Sequence, residues 1–303
     1  MLRWLFRASG LALVVYSLGT VTLAYAVAHA PNGSSSSPEA DPCPEELAAR
    51  GRVESATYGA LSTWLAEPRT PPRGTLVLLH GVRLDKRSML PAAESFVDAG
   101  YRVVLADLRG HGHSGGGYLT YGIGDARDVS ALLDGLEARG VALGPVGVHG
   151  FSYGAATALT LAATDSRVRA VVAVSSFASL RRVARDYVRW QLPALAPAVP
   201  DLWLDSAVDL GALWAGFDAD AAAPAESAAR MRASLLVVHG SDDPQVSVEH
   251  AHRIERAAEG RARLLLLPGE THASILADAR GNVRAAAREW FDEHLLQFRS
   301  RQN

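Results

Sequence analysis

Short, nearly unbroken apolar runs recur along this chain at intervals that leave room for a helix between each pair. They are Thr75–Leu79, Arg102–Ala106, Val146–His149, Val168–Val174, Ser234–His239 and Ala262–Leu267. Runs this short, apolar on successive residues instead of alternate ones, mark strands buried on both faces. Amphipathic stretches at about 87–99, 123–139, 153–164, 247–258 and 280–297 lie among them. Strand and helix in alternation define an α/β fold, an open and mostly parallel sheet with helices on both faces. Ahead of it, Glu54 to Pro68 alternates around a central glycine as an antiparallel hairpin does. One interval breaks the rhythm. Residues 177–231 hold Trp190, Trp203, Trp214 and several prolines without a clear strand, and are expected to form a small helical cap after the sixth strand, with a long crossover of irregular helices as the alternative. The cap's Trp and Leu residues fit either an apolar ligand or a small core of the cap's own.

The ends of the chain read differently. Arg3 and Arg7 precede Ala8 to Ala30, a run without Asp, Glu, Lys or Arg. As a helix it would be about 34 Å long, enough to cross a bilayer. Residues 1–30 are therefore expected to be a transmembrane anchor, with a cleaved signal peptide as the rival and a buried helix of the fold as the third reading. Ala26-Val27-Ala28 and Ala28-His29-Ala30 both fit a cleavage site. The positive-inside rule places the rest outside the cytoplasmic membrane, periplasmic, at the cell surface or secreted. Residues 31–44 read as a flexible linker and 45–303 as one large domain. The single cysteine, Cys43, excludes an intrachain disulfide and a cysteine-based metal site, and reads as a linker bystander. A net charge of −2 leaves no electrostatic footprint for nucleic acid. Lys86 is the only lysine.

In such sheets ligands bind beyond the carboxyl ends of the strands. Val146–His149 runs into Gly150-Phe151-Ser152-Tyr153-Gly154, a G-x-S-x-G turn between strand and helix. Small residues at −2 and +2 let such a turn lift the serine hydroxyl off the sheet, with a helix N-terminus beneath it. A serine hydroxyl needs a base, and the base an orienting acid. The next strand ends lead into His239-Gly240-Ser241-Asp242-Asp243 and into Gly269-Glu270-Thr271-His272. After Thr75–Leu79, His80-Gly81-Val82 turns the chain so that the Val82 amide, with that of Tyr153, can form an oxyanion hole. His80 is expected to hold that loop by hydrogen bonding.

The ordered set LVLLHG (76–81), DLRGHGHSGG (107–116), GFSYG (150–154), HGSDDPQV (239–246) and GETH (269–272) resembles serine hydrolases of the α/β-hydrolase superfamily, in the esterase, lysophospholipase and serine-aminopeptidase-like branch. The resemblance implies Ser152 as nucleophile, Asp243 as acid and His272 as base. It calls for no cofactor and no metal, and the His111-Gly112-His113 pair falls in what resembles a structural turn of the family. The family pattern H-G-x-x-D-x-x-V selects Asp243 over Asp242, which is expected to accept backbone N–H bonds near Pro244. The expected reaction is cleavage of a small-molecule carboxylic ester through an acyl-enzyme. Acyl transfer and amide or peptide hydrolysis are sister reactions on the same residues, and a catalytically inactive, anchored binding module is the alternative of another class.

Overall fold

The computed structural model describes residues 16–29 and 41–300. Eight strands form one sheet: β1 (Gly51–Tyr58), β2 (Leu61–Pro68), β3 (Thr75–Leu79), β4 (Arg102–Ala106), β5 (Val146–Phe151), β6 (Val168–Val174), β7 (Ser234–Gly240) and β8 (Ala262–Leu267). Their order is β1-β2-β4-β3-β5-β6-β7-β8. The β1–β2 hairpin runs antiparallel and pairs antiparallel with β4, while β3 to β8 are all parallel. The expected α/β architecture is what forms. Strand order reverses between β3 and β5, so the crevice a ligand would enter lies beyond their carboxyl ends.

Alternation within each strand splits the core in two. Val77 and Leu79 of β3 face one layer, with α4 (Ile123–Ala138), α5 (Tyr153–Thr164), α8 (Pro224–Arg230) and α9 (Glu249–Ala257). Leu76 and Leu78 face the other, with α3 (Leu90–Asp98) and α11 (Asn282–Ser300). Strands β3, β4 and β5 are buried throughout, whereas the edge strand β8 is only half-buried, despite its four consecutive leucines.

The cap is smaller than 177–231. Only α6 (Leu180–Gln191), a 3-10 turn (Ala196–Ala198) and α7 (Asp201–Ala215) stand over the sheet, for α8 packs between α5 and α9 in the body. Leu180, Val183, Phe177, Val208 and Ala212 form a third, separate cluster beneath it. Asp186 of α6 ties the cap down. It accepts from the Ser247 N–H (3.1 Å) and from His250 Nε2 (3.1 Å), whose Nδ1 accepts from the Ala178 N–H (2.9 Å).

The anchor expected over Ala8–Ala30 is not supported. Residues 16–28 form a helix, α1, and among the described residues no helix is long and apolar enough to cross a membrane. Residues 1–15 and 30 lie outside the described residues. Instead of facing lipid all round, α1 buries Ala24, Val27 and Ala28 against the domain. It is fastened by Tyr121 Oη donating to Val27 O (2.9 Å), Leu119 N–H to Ala28 O (2.7 Å) and Trp203 Nε1 to Thr20 Oγ1 (2.6 Å).

The end of the expected linker is also part of the fold. Pro44 leads into α2 (Glu45–Ala48), and Cys43 packs against the second core layer. Asp41 is buried and pairs with Lys86, itself fully buried, and with Arg87 at 2.5 Å. Lys86 also meets Asp107 at 2.7 Å and stands over the Trp64 ring, 4.7 Å from its centroid. Asp107 in turn accepts from the backbone N–H of Lys86 (2.8 Å) and of His113 (2.9 Å), which fixes the 107–116 turn. Residues 30–40 lie outside the described residues.

Replacing Lys86 by methionine removes the buried cation that two buried carboxylates share, and is expected to cost about 3–5 kcal/mol in urea denaturation. Burial works to raise the Asp41 carboxyl, but the hydrogen bonds from Lys86 and Arg87 prevail and hold it below its ordinary value. Its stabilising contribution is therefore complete above about pH 4 and is lost as pH falls through the depressed value. Stability measured below pH 4 should consequently fall less steeply in Asp41→Asn than in the parent.

Candidate active site

Strand β5 ends in a backbone that few residues adopt. Ser152 has φ 53° and ψ −111°, strain of about 1–3 kcal/mol held by its surroundings. Its N–H donates to Val174 O of β6 (2.8 Å). A side chain at Gly150 would overlap the backbone of Gly154 and Ala155, and one at Gly154 would overlap the Leu79 carbonyl. The two glycines are thus required by close approach, and they let α5 start directly beneath β3 and β5.

The other two side chains arrive on loops that lace together. Ser241 N–H donates to Leu267 O (3.0 Å), Asp242 N–H to Glu270 O (3.1 Å) and Gly269 N–H to Ser241 Oγ (2.9 Å). Gly240 has no room for a side chain against Glu270 O. Thr271 then caps α10 (His272–Ala277), accepting from the Ser274 N–H at 3.2 Å while its own N–H donates to Ser274 Oγ at 2.8 Å. This short helix, missed in the sequence although Thr271 and Ser274 have capping spacing, orients His272 at its first turn.

These loops bring the three expected residues together. Asp243 Oδ2 lies 2.6 Å from His272 Nδ1, and His272 Nε2 lies 3.0 Å from Ser152 Oγ. A carboxylate only accepts, so Nδ1 carries the proton and Nε2 is free to accept from the serine hydroxyl. All three are buried. Burial acts to raise the Asp243 carboxyl, but the His272 and Val246 hydrogen bonds outweigh it and hold it below the usual carboxylate range.

The expectation for Asp242 needs correction. The backbone N–H groups of Gln245 and Val246 donate to Asp243 Oδ1 (both 2.9 Å), so one carboxylate both faces His272 and shapes the turn. Asp242 is exposed and accepts only the Ser241 hydroxyl (2.7 Å) among the described residues, because its own N–H is committed to Glu270 and its side chain points outward.

His80 does hold its loop: Nδ1 donates to Gly81 O (2.8 Å) and Nε2 accepts from Leu108 N–H (2.9 Å). Burial, and then the neighbouring His111, push it down to about 4, so it stays neutral. His111 Nδ1 donates to Arg109 O (2.8 Å), a turn contact. Val82 and Tyr153 both line the cavity that Ser152 opens into. The Tyr153 N–H begins α5, where no helical acceptor exists.

That cavity measures about 360 Å³ and is walled chiefly by apolar side chains, among them Leu119, Tyr121, Phe177, Val183 and Tyr187. Arg83, at φ 62°, is the one charged residue among its described lining. Sequence reading missed Arg83, and it missed the role of the Tyr153 side chain. Tyr153 Oη donates to the buried Asp125 (2.7 Å) and accepts from the N–H groups of Thr120 (3.0 Å) and Tyr121 (3.1 Å), fixing the cavity wall to the elbow. A larger open cleft of about 790 Å³, beside α6 and α9, is lined by charged residues. Four of its arginines are already paired, Arg181 with Asp220, Arg185 with Asp205, Arg189 with Asp186 and Arg253 with Glu249, and Ser152 lies outside it.

Comparison with known proteins places this architecture. The model of a family described as X-Pro dipeptidyl-peptidase (S15 family) matches residues 63–212, from β2 through most of α7 and including Ser152. An uncharacterized protein of Bacillus subtilis strain 168, YqkD, is 26% identical over 255 residues, 82% of this chain and 81% of that protein. The esterase Pf2001 of Pyrococcus furiosus superposes with a TM-score of 0.69 at 20% identity, over 89% of this chain and 98% of its own. Dienelactone hydrolase from Anabaena variabilis gives 0.56 at 20% identity, over 81% and 99%. Est1E from Butyrivibrio proteoclasticus gives 0.57 at 17% identity, over 79% and 99%. The chain has the α/β-hydrolase fold.

Tyr153→Phe leaves the Thr120 and Tyr121 amides without their acceptor and takes one donor from Asp125, which keeps those from Thr120 Oγ1 and the Gly122 N–H. It should cost about 1–3 kcal/mol in urea denaturation.

Proposed function

We propose that this α/β-hydrolase cleaves carboxylic esters through an acyl-enzyme on Ser152. The observation that carries the reading is the continuous chain of hydrogen bonds from Asp243 through His272 to Ser152, opening into an apolar cavity. His272 takes the proton as Ser152 Oγ attacks the ester carbonyl. The tetrahedral oxyanion is held by the N–H groups of Val82 and Tyr153, and collapse expels the alcohol with the proton returned from His272. Water, deprotonated by the same imidazole, then releases the acid. Asp243, kept ionised, fixes the imidazole tautomer and balances its charge.

The S15 resemblance raises peptide cleavage as a second reading. A dipeptidyl peptidase needs an acidic group for the free peptide ammonium, and among the described residues the cavity lining includes no Asp or Glu. Ester cleavage is therefore the reading preferred.

A fluorophosphonate should label Ser152, and Ser152→Ala should abolish labelling and lower kcat on p-nitrophenyl esters by about 10⁴–10⁶. Wild-type turnover in that variant would overturn the mechanism. Asp243→Asn should lower kcat by about 10³–10⁴, while Asp242→Asn changes it little. The reverse ranking would remove Asp243 from its role.

A further inference from the structure

We infer that the N-terminal helix α1 is a wall of the acyl-binding site, and that its side chains set how long an acyl chain the enzyme accepts. The inference rests on the ester-hydrolase reading and names its substrate class, esters of unbranched fatty acids of medium length.

Four residues of the N-terminal segment, Leu23, Ala26, Val27 and His29, line the cavity into which Ser152 opens. Their spacing of three and four puts the first three on one helical face. A second stretch of the lining comes from α6, where Leu180, Val183, Ala184, Tyr187 and Val188 face the same cavity at the same spacing. Eight residues of helix separate Leu180 from Val188, so the apolar trough runs for about 12 Å along α6. A cavity of about 360 Å³ lined chiefly by apolar side chains over that length, with Ser152 in its lining, suits a single extended alkyl chain better than a polar group.

The placement of α1 is specified, not incidental. Its main chain is bonded to Tyr121 Oη and to the Leu119 N–H, and Thr20 receives the Trp203 indole of α7. Gly211 of α7 has no room for a side chain against Ala24 O and Val27, which brings the two helices into close approach. Leu18, Val21 and Tyr25 occupy the other face of α1 and are exposed, so the helix has a cavity face and an outer face that can be tested separately.

The test uses the full chain. In the Ser152→Ala background, Ala26→Trp should weaken dodecanoate binding, read by calorimetry, at least tenfold. With Ser152 present, it should lower the ratio of kcat/KM for p-nitrophenyl dodecanoate to that for the acetate at least tenfold. Leu18→Ala, on the outer face, should leave both readings unchanged and so controls for the helix as mere structure. If the parent hydrolyses no ester while Ala26→Trp still loses dodecanoate binding, the wall stands and the hydrolase reading falls. An unchanged affinity and chain-length ratio in Ala26→Trp overturns the wall, as does the same change in Leu18→Ala. Isolation of the native protein with its N-terminus cleaved after Ala28 or Ala30, measured by intact mass, also overturns it.

Discussion

The structure turns on the crossing of α5 beneath the ends of β3 and β5, where no side chain fits at Gly150 or Gly154. That contact holds Ser152 at a positive φ, and the strain is carried by the ladder around it, including the Ser152 N–H bond to β6. Because the sheet reverses order there, the same crossing sets Ser152 beside the Val82 loop. Everything else in the site is aimed at that fixed hydroxyl. The β7 and β8 loops are laced to each other before they reach it, so Asp243 and His272 approach as one unit.

Much of this was legible because it depends on short-range pattern. Continuous apolar runs give buried parallel strands, and the elbow glycines stand where the backbone leaves no alternative. The choice of Asp243 over Asp242 was also legible, although the two share a turn. What sequence spacing could not convey was that Asp243 would take the turn's amides as well as His272, because that depends on Asp242 N–H being bonded across to Glu270. Periodicity also could not locate the lower edge of the cap. The helix at Pro224–Arg230 is too short to show a periodic apolar face, and its packing against α5 and α9 assigns it to the body.

The N-terminal run shows the limit of hydropathy. A stretch without charges is compatible with lipid, and equally with a helix that covers an apolar cavity, since both environments exclude water. The described half of the run, 16–29, is fastened through main-chain carbonyls and a threonine hydroxyl, contacts that a hydropathy count does not register. The same physics explains the cap. Its exterior carries arginines and aspartates in pairs, while its underside presents a face that only an apolar guest or its own core can satisfy.

The burial of Lys86 between Asp41 and Asp107 has a practical chemical consequence. Since the chain has no other lysine, its only side-chain amine is sealed between two carboxylates while the domain is folded. Acylating reagents that seek free amines then find the α-amino group of the chain and little else on the native protein. Each local opening of the Trp64 layer exposes one new nucleophile. The rate at which that single amine becomes modified is a direct clock for opening of this region, readable by mass without any engineered label.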